Sequence, residues 1–293
     1  MLNYNLQKNN NLNLKGIILE NYYKKALCVL PIFIIAHSPI ALADKNASAD
    51  EAAKELANPN TAFASLAFKN QYKSFEDDTE LTQTLFQPVL PFILSGGDKI
   101  IFRPALPIIY DSRGEESGLG DLSYDLVYAF GDVTPGTLLA VGIVGTLPSG
   151  DSEVGGGEIT GFGPSIFYGK LDKTGLLGAY TSHIQSTDEG DLGEAGKLSV
   201  TSSQLMWVNF ASGGWTWGST PKVEYNHEAD EQEWTIPLNI NISKTTILNS
   251  RPWKFGFEFD YYIEKDEDFG PEFMVTFSIT PVVENVLNTW LNN

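Results

Sequence analysis

Cysteine is almost missing from this chain: among 293 residues there is one, Cys28. It falls in a leading segment expected to be removed, so the remainder must be stable without disulfides and has to rely on a large sheet or core. Histidine is scarce as well, and beyond that segment only His183 and His227 remain. Basic residues are heavily outnumbered, with 19 Lys and Arg against 37 Asp and Glu and a formal net charge of −18. Phosphate binding needs clusters of Lys and Arg, so nucleic acid is excluded as a partner. Long apolar runs are also lacking. The stretch "ALCVLPIFII" is ten residues long and broken by Pro31, too short to cross a bilayer as a helix. Lys24 and Lys25 precede it, and a small-x-small site, Ala41-Leu42-Ala43, follows it. That order is the order of a secretory signal peptide, here over residues 1–43. Its removal would take away Lys8, Lys15, Lys24 and Lys25 against only Glu20 and leave the rest more acidic still.

What the chain does have is alternation. Residues 46–60 have helical composition and end at Asn58-Pro59-Asn60, after which no 3.6-residue period is sustained. From Thr61 onward, segments of about ten residues alternate apolar and polar and are separated by turn residues. In "KFGFEFDYYIEKDEDFG", Phe255, Phe257, Phe259, Tyr261 and Ile263 share one parity, and Lys254, Glu258, Asp260 and Glu264 the other. The run "GTLLAVGIVGTL" is apolar on both parities. Strands this long suit a tilted crossing of a bilayer better than a sandwich. Aromatics at the ends of apolar faces, such as Tyr110, Phe130, Trp215 and Trp234, resemble interfacial girdles. Pro88, Pro104, Pro164 and Pro237 sit awkwardly within such strands.

Charge in the connections is partitioned. Alternate connections from "FEDDTE" to "EKDEDFG" hold 22 acidic residues against the two bases Arg113 and Lys265. The other set holds the acids Asp98, Asp132 and Asp172 against Lys99, Lys170, Lys173, Lys244 and Arg251. A sheet in uniform solvent has no reason to sort charge this way, so the two ends face unlike environments. The expected fold is all-β: a closed antiparallel transmembrane β-barrel of about twelve strands with a short N-terminal helical segment. The expected organisation is a periplasmic segment at 44–60, the barrel at 61–281 and a tail at 282–293. The last strand is expected to stop near Pro281.

Several segments resemble a bacterial outer-membrane transporter family labelled "MetA-pathway of phenol degradation". They include "AKELANPNTAFASLAF", "RPALPIIYD", "SGLGDLSYDLVYAF", "GFGPSIFYG" and "FDYYIEKDEDFGPEFMVTFSIT". The likeness spans about Ala53 to Thr280. It implies an outer-membrane β-barrel with an uptake role, and it carries no catalytic residues over.

Chemistry of other kinds finds little footing. His183 in "YTSHIQS" shares parity with Thr181 and Gln185 and is expected to point inward, away from its neighbour Ser182. The stretch "HEADE" from His227 has Glu231 where a zinc motif needs its second histidine. No catalytic residue, no cofactor and no specific metal site are expected, although the acidic loops could bind Ca²⁺ or Mg²⁺ weakly. The candidate pore-lining residues are Lys69, Arg103, Asp125, His183, Lys222, Glu224, Lys254, Glu258 and Asp260. These lead to a monomeric outer-membrane channel for passive uptake of small solutes, surrounded by lipid and lipopolysaccharide, with a narrow polar lumen and an acidic outer mouth. Residues 46–60 are expected to obstruct the periplasmic mouth. Two other readings stay open at this point: an outer-membrane enzyme acting on lipid or peptide, and a non-conducting structural or surface-interaction barrel.

Overall fold

The computed structural model describes residues 48–94, 96–112, 116–131, 133–154, 159–187, 197–229, 231–266 and 270–285. The expected signal peptide, most of the expected tail and many of the loop acids, among them those at 188–194 and 267–268, lie outside the described residues.

The chain first forms helix α1 (Ala49–Ala57). Ser48 caps it: the Glu51 amide donates to the Ser48 hydroxyl at 3.2 Å, and the Ser48 amide donates to the Glu51 carboxylate at 2.8 Å. That exchange holds the Glu51 carboxyl below its usual range, led by the Ser48 backbone donor. The helix stops at Asn58, because a residue before proline is pushed out of helical geometry.

Among the described residues fourteen strand segments follow: β1 (Ala64–Ser74), β2 (Glu80–Ile93), β3 (Lys99–Ser112), β4 (Glu116–Leu119), β5 (Leu122–Ala129), β6 (Thr137–Leu147) and β7 (Gly161–Leu171). The second half comprises β8 (Gly175–Ser186), β9 (Ser199–Ala211), β10 (Trp215–Ser219), β11 (Lys222–Asn226), β12 (Trp234–Leu248), β13 (Arg251–Glu264) and β14 (Phe273–Val283). Two pairs of segments are single staves with a break. β4 and β5 both run along β3, and β10 and β11 both lie between β9 and β12. The second break falls at Thr220-Pro221, where Pro221 has no N–H to give. The staves pair antiparallel with their sequence neighbours, and β1 pairs with β14, closing a twelve-stranded barrel.

Short connections gather at one end with α1. Asn249 and Ser250, at φ 50° and 61°, make the two-residue turn between β12 and β13 that matches the strand twist. Gly214 is required twice over at this end. Its φ is 79°, and a Cβ there would lie 2.3 Å from the Thr245 carbonyl and 3.1 Å from the Ala49 Cβ. The connection at 75–79 and the described ends of the longer ones, such as 148–154 and 265–266, lie at the other end.

Alternation places apolar side chains on the outside. Leu177, Ile240 and Leu238 are 65 %, 64 % and 59 % exposed, and Phe255, Phe257, Tyr261 and Ile263 of β13 join that surface. An apolar band of this extent calls for a hydrocarbon surrounding. The inside is not uniformly polar. Ile101, Val127, Ala129, Ala140, Phe167 and Leu176 pack into a buried cluster within the barrel, with Leu138 and Met206 against them. This accounts for β6, whose inward parity (Leu138, Ala140) joins the cluster while Val141 and Ile143 face outward.

The prolines are accommodated by opening the ladder. Between Phe86↔Leu106 and Leu90↔Phe102 the β2–β3 pairing lapses, and continuing that register sets Pro88 opposite Pro104. Pairing of Pro88 with β1 and of Pro104 with β5 continues undisturbed, so both missing donors fall on the same seam. Pro237 coincides with a register shift on β13. Pro281 likewise interrupts pairing with β1 without ending the strand: β14 continues to Val283, because Val282 pairs with Ser65 and packs on Phe63 and Ala52. The last strand therefore runs past the expected stop near Pro281.

Candidate functional site

The inward faces enclose a cavity of about 540 Å³. Seven of the sequence candidates line it: Lys69, Arg103, Asp125, Lys222, Glu224, Glu258 and Asp260. Parity brings them together, since each sits on the strand face opposite the apolar band. Their partners divide the wall. Lys69 donates to Gln87 at 2.8 Å. Arg103 lies 3.8 Å from Asp125, which also accepts from the Tyr180 hydroxyl at 3.1 Å. Lys222 pairs with Glu224 at 2.7 Å. Glu258 and Asp260 instead share one amide, with Asn239 donating to each at 2.7 Å.

Two candidates lie elsewhere. Lys254 keeps the inward parity of β13 but sits toward the short-turn end, opposite Thr245 and Thr280. His183 departs from its expected inward position. On β8 the cavity takes Tyr180, Ser182 and Ile184, which leaves His183 on the outward parity. There it meets the Thr201 hydroxyl at 2.9 Å, and His227 meets the same hydroxyl at 2.8 Å. Tyr225 and Trp234 extend this outward cluster edge to face. Ser182 bonds Ser202 at 3.0 Å on the cavity side, so Ser182 and His183 cannot act as nucleophile and base.

Below the cavity, the residues after α1 cross the lumen. Arg103 donates to the Pro59 carbonyl at 2.6 Å, and Lys99 to the Asn60 carbonyl at 2.9 Å. Asn60 donates across to the Leu139 carbonyl at 3.4 Å. Asp50 accepts from the Gly214 amide, and the Lys54 ammonium lies 6.0 Å from the centre of the Phe210 ring. Pro59 is itself part of the cavity lining. Sequence reasoning missed Tyr180, Asn239 and Thr220. Asn239 and Thr220 were legible as inward polar positions, whereas Tyr180 sits on an apolar parity that pointed the wrong way. Among the described residues, no three His, Cys, Asp or Glu side chains converge to hold a metal ion.

No known family profile matches the chain, and no curated protein matches it. Solved structures do. An outer membrane channel from Pseudomonas putida F1 superposes with a TM-score of 0.58 at 14 % identity, covering 75 % of this chain and 96 % of that one. The NanC porin superposes with a TM-score of 0.52 at 10 % identity, covering 75 % of this chain and 99 % of that one. At such identities the likeness is one of fold: this chain has the closed antiparallel barrel found in outer-membrane channels and porins.

Proposed function

We propose that the protein is an outer-membrane channel through which small solutes diffuse passively. The observation that carries this reading is a polar, charge-lined cavity inside a barrel whose outside is apolar. Water and ions enter such an interior readily, while the outer face is solvated by lipid. The fold shared with an outer membrane channel and a porin, and the resemblance of the sequence to an outer-membrane transporter family, support it. Lipid and lipopolysaccharide surround the barrel, and one copy suffices. The long connections form the outer mouth. Their acid excess raises local cation concentration and repels anions, and salt weakens the effect. The segment from α1 to Phe63 narrows the inner mouth.

Single-channel recording of the refolded protein in planar bilayers tests this. The expected result is discrete conductance with a reversal potential favouring cations in asymmetric KCl. Silence from folded, heat-modifiable protein overturns the channel, and an anion-favouring potential overturns the role of the mouth. Deleting residues 48–60 is expected to raise conductance, and an unchanged value removes the obstruction.

A further inference from the structure

The ionisable groups of the lumen are not equally satisfied. Asp125 has both a guanidinium and a phenol, and Glu224 has an ammonium. Glu258 and Asp260 differ. Among the described residues neither forms an ion pair, and the hydrogen bonds that reach them come from neutral donors, Asn239 and Thr220. The frame that holds them is fixed. Both amide hydrogens of Asn239 are committed to the two carboxylates, and its carbonyl oxygen accepts the Thr220 amide at 2.6 Å. The Thr220 hydroxyl reaches Glu258 at 3.2 Å and accepts from Asn241 at 3.0 Å. Asp260 is 4 % exposed, it lines the cavity, and among the described residues its Oδ2 has no hydrogen-bond partner. A buried carboxylate oxygen left in that state is costly unless a donor comes to it.

We infer that Glu258 and Asp260, clamped by Asn239, form a lumenal subsite for the primary ammonium group of a small solute. The inference rests on the channel reading for access and gives that lumen a substrate class. A primary ammonium carries three N–H donors and one positive charge, so it satisfies the open Asp260 oxygen and offsets one of the pair's two negative charges. Calcium fits poorly. It takes six to eight oxygen ligands, and the Asn239 carbonyl oxygen is already occupied by the Thr220 amide.

Titration calorimetry of the folded full chain in detergent, with propylammonium chloride at constant ionic strength, tests the subsite. Saturable binding is expected, and tetramethylammonium, which has no N–H, should bind at least about tenfold more weakly. Asp260→Asn should weaken propylammonium binding by at least about tenfold. Glu258→Gln should weaken it less, and it reads the same site should Asp260→Asn fail to become heat-modifiable. Lys173→Gln, in an exposed turn, should bind as the parent does. Absence of saturable binding by folded parent protein, or binding unchanged in both carboxylate variants, overturns the subsite. Conductance recorded on the same preparation separates the two readings: an intact isotherm with no conductance removes the channel alone, and conductance with no isotherm removes the subsite alone.

Discussion

Arg103 joins the two parts of the lumen. One of its nitrogens holds the Pro59 carbonyl at 2.6 Å, and the other lies 3.8 Å from Asp125. An arginine suits this role because its planar fork presents donors on separate nitrogens in fixed directions, whereas a lysine offers a single nitrogen. Arg103→Met should release the segment from α1 to Phe63 and leave Asp125 with Tyr180 as its remaining partner. A loss on the order of 2 kcal/mol is expected, the scale of hydrogen bonds to charged groups, read as a lower urea midpoint for unfolding. Faster proteolysis around residues 58–63 and a rise in conductance should accompany it, with Arg103→Lys intermediate; parent-like cleavage and conductance would show that Arg103 does not hold the segment. The inward charges were legible because a period of two fixes which face each residue takes. His183 was not, because β8 is apolar on both faces: Leu176 packs in the interior cluster while Leu177 is 65 % exposed. Hydrophobic parity loses its meaning wherever the inside of a barrel is itself a core.

Strand existence followed from alternation, and the proline-bearing strands show how far that signal outweighs a local rule. A proline usually marks an edge or a bulge. Here Pro88 and Pro104 face the same seam, so the sheet loses pairing once instead of twice. Replacing both with valine restores two donors to the β2–β3 seam. Each net backbone bond is worth about 0.5–1.5 kcal/mol, so the double variant should raise the temperature at which the barrel loses its fast-migrating folded form on gels. Pro88→Val alone should give about half the gain, and a double variant that melts lower would place the missing donors elsewhere. The helix was legible from composition and from the Asn58-Pro59-Asn60 stop. The contacts that hold the residues after it were not, because Arg103 and Lys99 bind main-chain carbonyls of Pro59 and Asn60, and a carbonyl has no sequence signature.

For the molecule as a whole, the closed ladder and the outward apolar surface fix a height as well as a fold. On β12, Trp234 marks one rim, and Lys244, 5.0 Å from the centre of the Trp215 ring, marks the other. Ten residues at about 3.3 Å each, tilted by about 40°, span roughly 25 Å, the height of an outer-membrane apolar band. Ile240 lies between those markers, opposite Phe259, and Ile263 lies at the loop end of β13. Both face outward and are well exposed, at 64 % and 51 %, so a sheet bathed in water would treat a lysine at either position alike. A bilayer would not. Ile240→Lys should destabilise folding into lipid vesicles by about 2–4 kcal/mol, and Ile263→Lys by about 0–1 kcal/mol, because the penalty for charge falls from midplane to interface. Urea titration of folding into phosphatidylcholine vesicles measures both, and equal effects at the two positions would remove the bilayer from this account of the outer surface.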